Sequence, residues 1–190
     1  MRLEIVQYGE KVLHQKGKKI EKFDDELMAL FEDMVDAMDE AEGIGLASQQ
    51  VGRALQFCVV DLAGMDPDFE YTIDGSKPPL DLFMPMSICN PKVETIGKPN
   101  ITVYEEGCLS FPDVRADVER PDWIRCKFQD VNGTKHVIEC NGLLGRCIQH
   151  EVDHLNGILY IDRMKKRVLK KVQLRINQIQ AKTLQRLSQK

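Results

Sequence analysis

Two histidines four residues apart, His150 and His154, with Glu151 beside the first, are the residues of this chain best suited to chemistry. On a helix, positions i and i+4 share a face, so both imidazoles can point at one cation. Glu151 then sits where its carboxylate reaches a water on that cation without being a ligand, as in a metal-dependent hydrolase. The plainer reading is an ordinary helix with packed or solvated histidines. With only 4 His in 190 residues, this spacing seldom arises by chance.

A catalytic site of this kind needs a third protein ligand and one open position. Residues 155–190 contain no Glu, His or Cys, which closes the route through a downstream glutamate. The extended motif with a further histidine finds Gly157 in register but Tyr160 in the last place. The third ligand must lie upstream, among His14, His136, an acid or one of the 6 cysteines. Cys147 shares the helix face, but three ligands strung along one helix cannot easily enclose an ion. Its neighbours Leu143, Leu144 and Ile148 mark it as core, and Cys58, Cys89, Cys126 and Cys140 read as buried strand residues. Cys108 differs, because Gly107 and Pro112 break regular structure around it and allow a loop to present a thiolate.

Three separated segments resemble the signature motifs of the peptide deformylases: Gly43-Ile44-Gly45-Leu46-Ala47-Ser48-Gln49-Gln50, Glu106-Gly107-Cys108-Leu109-Ser110 and His150-Glu151-Val152-Asp153-His154. Their order and rough spacing also match, and the similarity spans about residues 1–165. The resemblance implies Cys108, His150 and His154 as metal ligands and Glu151 as general acid/base. Gln50 and the Leu109 backbone N–H become oxyanion donors, and Gly45 and Arg115 substrate contacts. It implies ferrous iron (Fe2+) as the usual ion, with Zn2+, Ni2+ or Co2+ able to replace it; thiolate and imidazole donors alone suggest zinc. The implied reaction is hydrolytic removal of the formyl group from the N-terminal formylmethionine of nascent polypeptides, releasing formate.

Two departures stand out. Ser48 replaces a second alanine, and residues 63–86 form a longer connection than compact members carry, which bears on the cleft rim. Without the resemblance the glycine loop is a weak signal. Ser48 takes the place of the third glycine of a dinucleotide fingerprint, Gly43 can simply end a helix, and Gln50 can be solvated.

Amide hydrolysis near neutral pH needs a nucleophile better than water and a proton for the departing amine. A cation lowers the pKa of its water from about 15.7 toward 7. Glu151 can take up the released proton and return it to the leaving nitrogen. Gln50 and the Leu109 N–H suit the charge of the tetrahedral intermediate, where one donor contributes on the order of 3 kcal/mol. Arg115 reads equally as a surface arginine paired with a neighbouring acid. Asp153 reads as a carboxylate that orients a ligating histidine, or as part of the helix surface.

These residues must be carried by definite elements. The helix bearing both histidines can be capped by Asn141 and ended by Asn156-Gly157, with Leu143, Leu144, Cys147, Ile148 and Leu155 inward. A second helix is expected from about Asp24 to Glu42, with Leu27, Leu30, Phe31, Met34 and Met38 at helical spacing. Strands are expected at 55–60 and near 87–96, 101–106 and 114–119. Trp123–Val131 and Thr134–Cys140 flank Asn132-Gly133, a two-residue hairpin signal. Strands first and the active helix late predict an α+β fold, with antiparallel or mixed sheets wrapped around a central metal-binding helix and a C-terminal helix.

With 43% hydrophobic residues in 190, one domain can bury a core. No basic head with an apolar run and no long apolar stretch appears, so the expected location is the cytoplasm, with no membrane or DNA partner and with reduced thiols. After Asp162 there is no acid, and the 10 Lys/Arg of 163–190 leave about −14 on residues 1–162 of a chain at −4 overall. Leu169, Val172, Ile176 and Ile179 predict an amphipathic helix. The expected organisation is a metal-dependent deformylase catalytic domain over 1–164. Residues 165–190 form a basic C-terminal helix, within that domain or appended to it. Two roles stay open for this helix: docking on the acidic body, or contact with ribosomal RNA, in which case deletion of 165–190 would weaken ribosome association and spare hydrolysis.

Two other functions compete. An endopeptidase would share the water activation but lacks a downstream ligand. A structural metal or RNA-contacting module would need a fourth protein ligand and leave Glu151 without a task.

Overall fold

The computed structural model describes residues 3–65, 68–98 and 100–189. Along the chain lie α1 (Asp25–Glu40), β1 (Gly45–Ala47), β2 (Phe57–Val60), β3 (Tyr71–Ile73), β4 (Met86–Thr95), β5 (Ile101–Gly107), β6 (Arg115–Pro121), β7 (Ile124–Gln129), β8 (Lys135–Cys140), α2 (Gly142–Leu155) and α3 (Lys166–Ser188). Six strands form a sheet in the order β1-β2-β4-β7-β8-β3, while β5 and β6 form a separate hairpin. The α+β class is as expected, and every ladder is antiparallel.

The run Phe57-Cys58-Val59-Val60 shows how the layers are joined. Side chains alternate along a strand, so Phe57 and Val59 pack with Leu27, Leu30, Met34 and Met38 of α1, while Cys58 and Val60 pack with Leu144, Cys147 and Ile148 of α2. The sheet is thus covered by α1 on one face and α2 on the other. Each fully buried Leu, Ile or Met in these layers stabilises by about 1.5–3 kcal/mol. A third cluster ties the hairpin to α3, with Phe111, Val114 and Val118 against Tyr160, Ile176 and Ile179.

Helix α1 begins where Asp24 Oδ1 accepts from Leu27 N–H at 3.2 Å, with Asp25 and Glu26 favouring its positive end. It stops two residues before the expected Glu42. There Glu42 takes the left-handed conformation (φ 54°), Glu42 N–H donates to the Asp39 carbonyl and Gly43 N–H to the Met38 carbonyl. Gly43 is therefore not the residue that turns the chain. It is glycine because a Cβ there would meet Leu109 Cδ1 at 2.7 Å.

Other expectations are corrected. Asn141 stands at the start of α2, but its side chain does not cap the helix; Asn141 Oδ1 accepts from Glu70 N–H instead, at 2.6 Å. The end of α2 is as expected, with Gly157 left-handed at φ 72°. Between β7 and β8 the turn is longer than two residues: Gly133 N–H donates to the Asp130 carbonyl and Asp130 N–H to the Thr134 carbonyl, with Asp130 Oδ1 accepting from Asn132 and Thr134. That is a tight turn followed by a glycine bulge. The 63–86 connection supplies β3, which adds to the sheet edge beside β8, and Phe69, Tyr71, Leu80 and Met84 join the core.

Candidate active site

Cys108 follows the last residue of β5, where Phe111 N–H closes a tight turn on the Cys108 carbonyl at 2.8 Å. His150 and His154 lie one turn apart on α2, their ring centroids 5.0 Å from each other. One ligand atom each from Cys108, His150 and His154 falls within 4.8 Å of the others, and Cys108 Sγ is 3.3 Å from His154 Nε2. His150 Nδ1 is 3.0 Å from Glu106 Oε2. A carboxylate only accepts, so Nδ1 carries the proton and Nε2 is left for the cluster. One sulfur and two imidazole nitrogens fit a divalent transition ion with one position over.

The groups respond strongly to their surroundings. Burial opposes charge on His150, yet hydrogen bonds to the Cys108 thiol and to Glu106 outweigh it and push its pKa up to about 10. Burial, with the nearby charges of His150 and Arg120, drives His154 well below its usual value. Burial alone would raise Glu106, but hydrogen bonds from His150 and Arg120 and the charge of Arg120 hold it far below the usual carboxylate range.

Glu151 is 4% exposed, and burial pushes it up to about 7 against the opposing charges of His150 and Arg120. Its Oε2 has no partner among the described residues. A Cβ on Gly45 would lie 2.5 Å from Glu151 Oε1 and 2.8 Å from Cys147 Sγ, so only glycine lets β1 approach the carboxylate this closely. Gln50 is buried rather than solvated: Gln50 Oε1 accepts from Ala47 N–H at 2.8 Å, and Nε2 donates to Ser110 Oγ at 3.3 Å and lies 3.5 Å from Cys108 Sγ. Gly45, Gln50, Cys108, His150 and Glu151 line a cleft of about 670 Å³ together with Leu109, Leu143 and Arg115. Cys147 also lines it, but burial raises its thiol well above the usual value, in keeping with its reading as core.

The polypeptide deformylase family model matches residues 2–171. The chain belongs to the peptide deformylase family. Peptide deformylase of Opitutus terrae is 55% identical over 167 residues, covering 88% of this chain and 87% of that protein. The Novosphingobium aromaticivorans peptide deformylase is 42% identical over 173 residues, covering 86% and 89%. Among solved structures, a Synechococcus elongatus peptide deformylase in complex with actinonin superposes with TM-score 0.75 at 36% identity, covering 95% of this chain and 85% of that one. Arabidopsis thaliana peptide deformylase 1B in complex with an inhibitor gives 0.83 at 32% identity, covering 97% and 93%. Deformylation at a polypeptide N-terminus is the enzymatic activity that peptide deformylase membership carries.

Within this deformylase site, the reading of Asp153 changes. Asp153 does not orient a histidine; it bridges Arg120 (2.7 Å) and Arg163 (2.7 Å). The carboxylate beside His150 is Glu106, gripped by Arg120 Nε at 2.7 Å and Arg146 Nη1 at 2.6 Å. Arg120 and Arg146 were missed, although each left a signal. Arg120 is in phase with inward Ala116 and Val118 on β6, and Arg146 lies four residues before His150 on α2. A charge at such positions demands a buried partner. Arg115 pairs with Glu105 at 3.0 Å, as its surface reading expects, and it also lines the cleft. No described residue of 63–86 is among those lining the cleft.

Proposed function

We propose that this deformylase removes the formyl group from the N-terminal formylmethionine of nascent polypeptides, releasing formate. Cys108, His150 and His154 would hold the ion, and Glu151 would serve as general acid/base. The observation that carries the reading is the buried Glu151 carboxylate, one oxygen unpartnered, beside the Cys108–His150–His154 cluster at a cleft. The bound ion would supply Lewis-acid activation of a water nucleophile. Glu151, raised to about 7, is suited to take the proton from that water and hand it to the leaving nitrogen as the C–N bond breaks. The Gln50 amide and the Leu109 N–H, which has no partner among the described residues, suit the charge on the former carbonyl oxygen. Gly45 and Arg115 line the cleft where the peptide chain would lie.

Ferrous iron as the native ion, with zinc, nickel or cobalt as substitutes, rests on the family resemblance, and the donor set accepts each of them. Residues 1–164 are assigned the catalytic machinery. For α3 we propose ribosome contact as well as docking. Ile176 and Ile179 pack on the body, while Lys170, Lys171 and Lys182 remain exposed, free for phosphate. Among the described residues no helix is long and apolar enough to cross a membrane; the cytoplasmic location rests on the proposed substrate.

The decisive experiment is oxygen-free purification with metal analysis and a formate assay on formyl-Met-Ala-Ser. Cys108→Ser should lose both metal and formate release, and Cys147→Ser should keep both; cleavage of internal bonds or a metal-free active protein would overturn the proposal. Alanines at Lys170, Lys171 and Lys182 should weaken ribosome association and flatten its salt dependence. Unchanged association would remove that role.

A further inference from the structure

The segment Ile5–Glu10 runs alongside both loops that carry the proposed oxyanion donors. Val6 N–H donates to the Gln50 carbonyl at 2.7 Å and Tyr8 N–H to the Ser110 carbonyl at 2.9 Å. Between them, Gln7 Nε2 donates to the Leu109 carbonyl at 3.2 Å. That carbonyl belongs to the central peptide of the Cys108–Phe111 turn. In tight turns this peptide can flip, converting one turn type to another, and a donor on its oxygen fixes the orientation.

The Gln7 amide assignment is not arbitrary. Its nitrogen also donates to the Ile5 carbonyl at 3.3 Å, and an exchange of O and N would set an acceptor against two carbonyls. Gln7 Oε1 is buried with no partner among the described residues, a cost borne by a side chain held for its donors. The segment is fixed from its other flank too. Tyr8 stacks on Phe111 at 4.7 Å, Glu10 pairs with Arg186 of α3, and Gly9 (φ +114°) lies so near α3 that a Cβ would come within 3.2 Å of Thr183 Cβ.

We propose that Gln7 is a positioning residue for the deformylation step. By holding the Leu109–Ser110 peptide, it fixes the turn that follows the Leu109 N–H and keeps the Ser110 hydroxyl in place to receive Gln50 Nε2. This rests on the oxyanion roles proposed above for Gln50 and Leu109.

The test compares Gln7→Met, similar in size but without a donor, with Gln7→Glu, similar in shape but presenting an acceptor. Expected is a fall in kcat of about tenfold for Gln7→Met, and more for Gln7→Glu, since small misplacements of preorganised groups are costly. KM should stay within about twofold, and metal content and Tm should match the parent. Amide hydrogen exchange at Leu109–Phe111 should quicken in both variants. Unchanged kcat, a loss confined to KM, or a loss that travels with metal content or Tm would overturn the proposal. Should the parent protein release no formate, the proposed function falls, and exchange still decides whether Gln7 holds the turn: quickened exchange upholds the holding, and unchanged exchange refutes it.

Discussion

Glu106 Oε2 accepts a hydrogen bond from His150 Nδ1 at 3.0 Å, and the same carboxylate is gripped by Arg120 and Arg146. The hairpin that leads into Cys108 is thereby fastened to the helix that carries both histidines. Arg146 adds to this by donating to the Thr102 carbonyl at 3.0 Å and lying 4.9 Å from the Tyr104 ring centre. The separation of the sulfur from the imidazoles is thus set by a buried charge network between two elements far apart in sequence.

Removing Glu106 should therefore damage both stability and metal retention. Glu106→Ala leaves Arg146 buried without its anion and Arg120 with only Asp153, a loss of about 3–5 kcal/mol. It also frees the His150 ring, which should weaken metal affinity by roughly 10–100-fold. Denaturant unfolding of the metal-free protein reads the first effect, and competition with a chelator reads the second. Wild-type metal retention in a folded variant would show that Glu106 does not orient the ligand.

Gly45→Ala should separate catalysis from folding. The added methyl would meet the tips of Glu151 and Cys147 rather than backbone, so the strain is relieved by moving those tips. The displaced group is the proposed proton carrier itself. The expected outcome is a kcat at least about tenfold lower, with Tm changed by only a few degrees. Steady-state kinetics beside thermal unfolding checks this; parental kcat would mean that Glu151 tolerates the shift.

How much of this could be read without coordinates differs from residue to residue. His150 and His154 were legible because helical spacing alone puts i and i+4 on one face. Ile176 and Ile179 were legible for the same reason. Cys108 was visible only as a thiol in a broken loop, and the motif resemblance was needed to choose it over the other upstream groups. Glu106 stood inside a quoted motif, yet its part was hidden, since that depends on β6 turning Arg120 inward across a non-local pairing. Gly43 looked like the end of a helix, and Gly45 like a substrate contact. They are small because Leu109 and Glu151, more than 60 residues away in sequence, press against them. Local periodicity reports faces, whereas such approaches are set by tertiary packing.

The β3 edge should depend on pH. His136 Nδ1 lies 2.7 Å from Asp74 Oδ2 and its Nε2 3.5 Å from Asp130 Oδ2. Burial disfavours the imidazolium, but the two carboxylates outweigh this and raise the His136 pKa. The stabilisation is then fully present below about 6.5 and is lost as pH rises through the raised folded value. Asp74 is lowered despite some burial, through its bonds to His136 and the Val137 N–H, so its share is lost as pH falls below the usual carboxylate range. Hydrogen exchange of Tyr71–Ile73 should be slowest near pH 5–6 after correction for intrinsic rates, and His136→Gln should abolish the upper limb. An unchanged profile in that variant would rule out the clasp.

Along α3, magnitudes separate docking from decoration. Arg175 pairs with Asp113 at 2.9 Å, but the two side chains are 47% and 81% exposed, and exposed pairs contribute at most about 1 kcal/mol. Ile176, the next residue, is 1% exposed and packs with Phe111 and Val114 on the loop that follows Cys108. Ile176→Ala should cost about 2–5 kcal/mol, whereas Arg175→Ala should be nearly neutral. The same packing bears on truncation: deleting 165–190 would uncover Phe111 and Val114, so point substitutions on the basic face test ribosome contact more cleanly than deletion does. Urea unfolding of the two variants decides the ranking, and equal losses would mean that α3 is held by charge rather than by its apolar face.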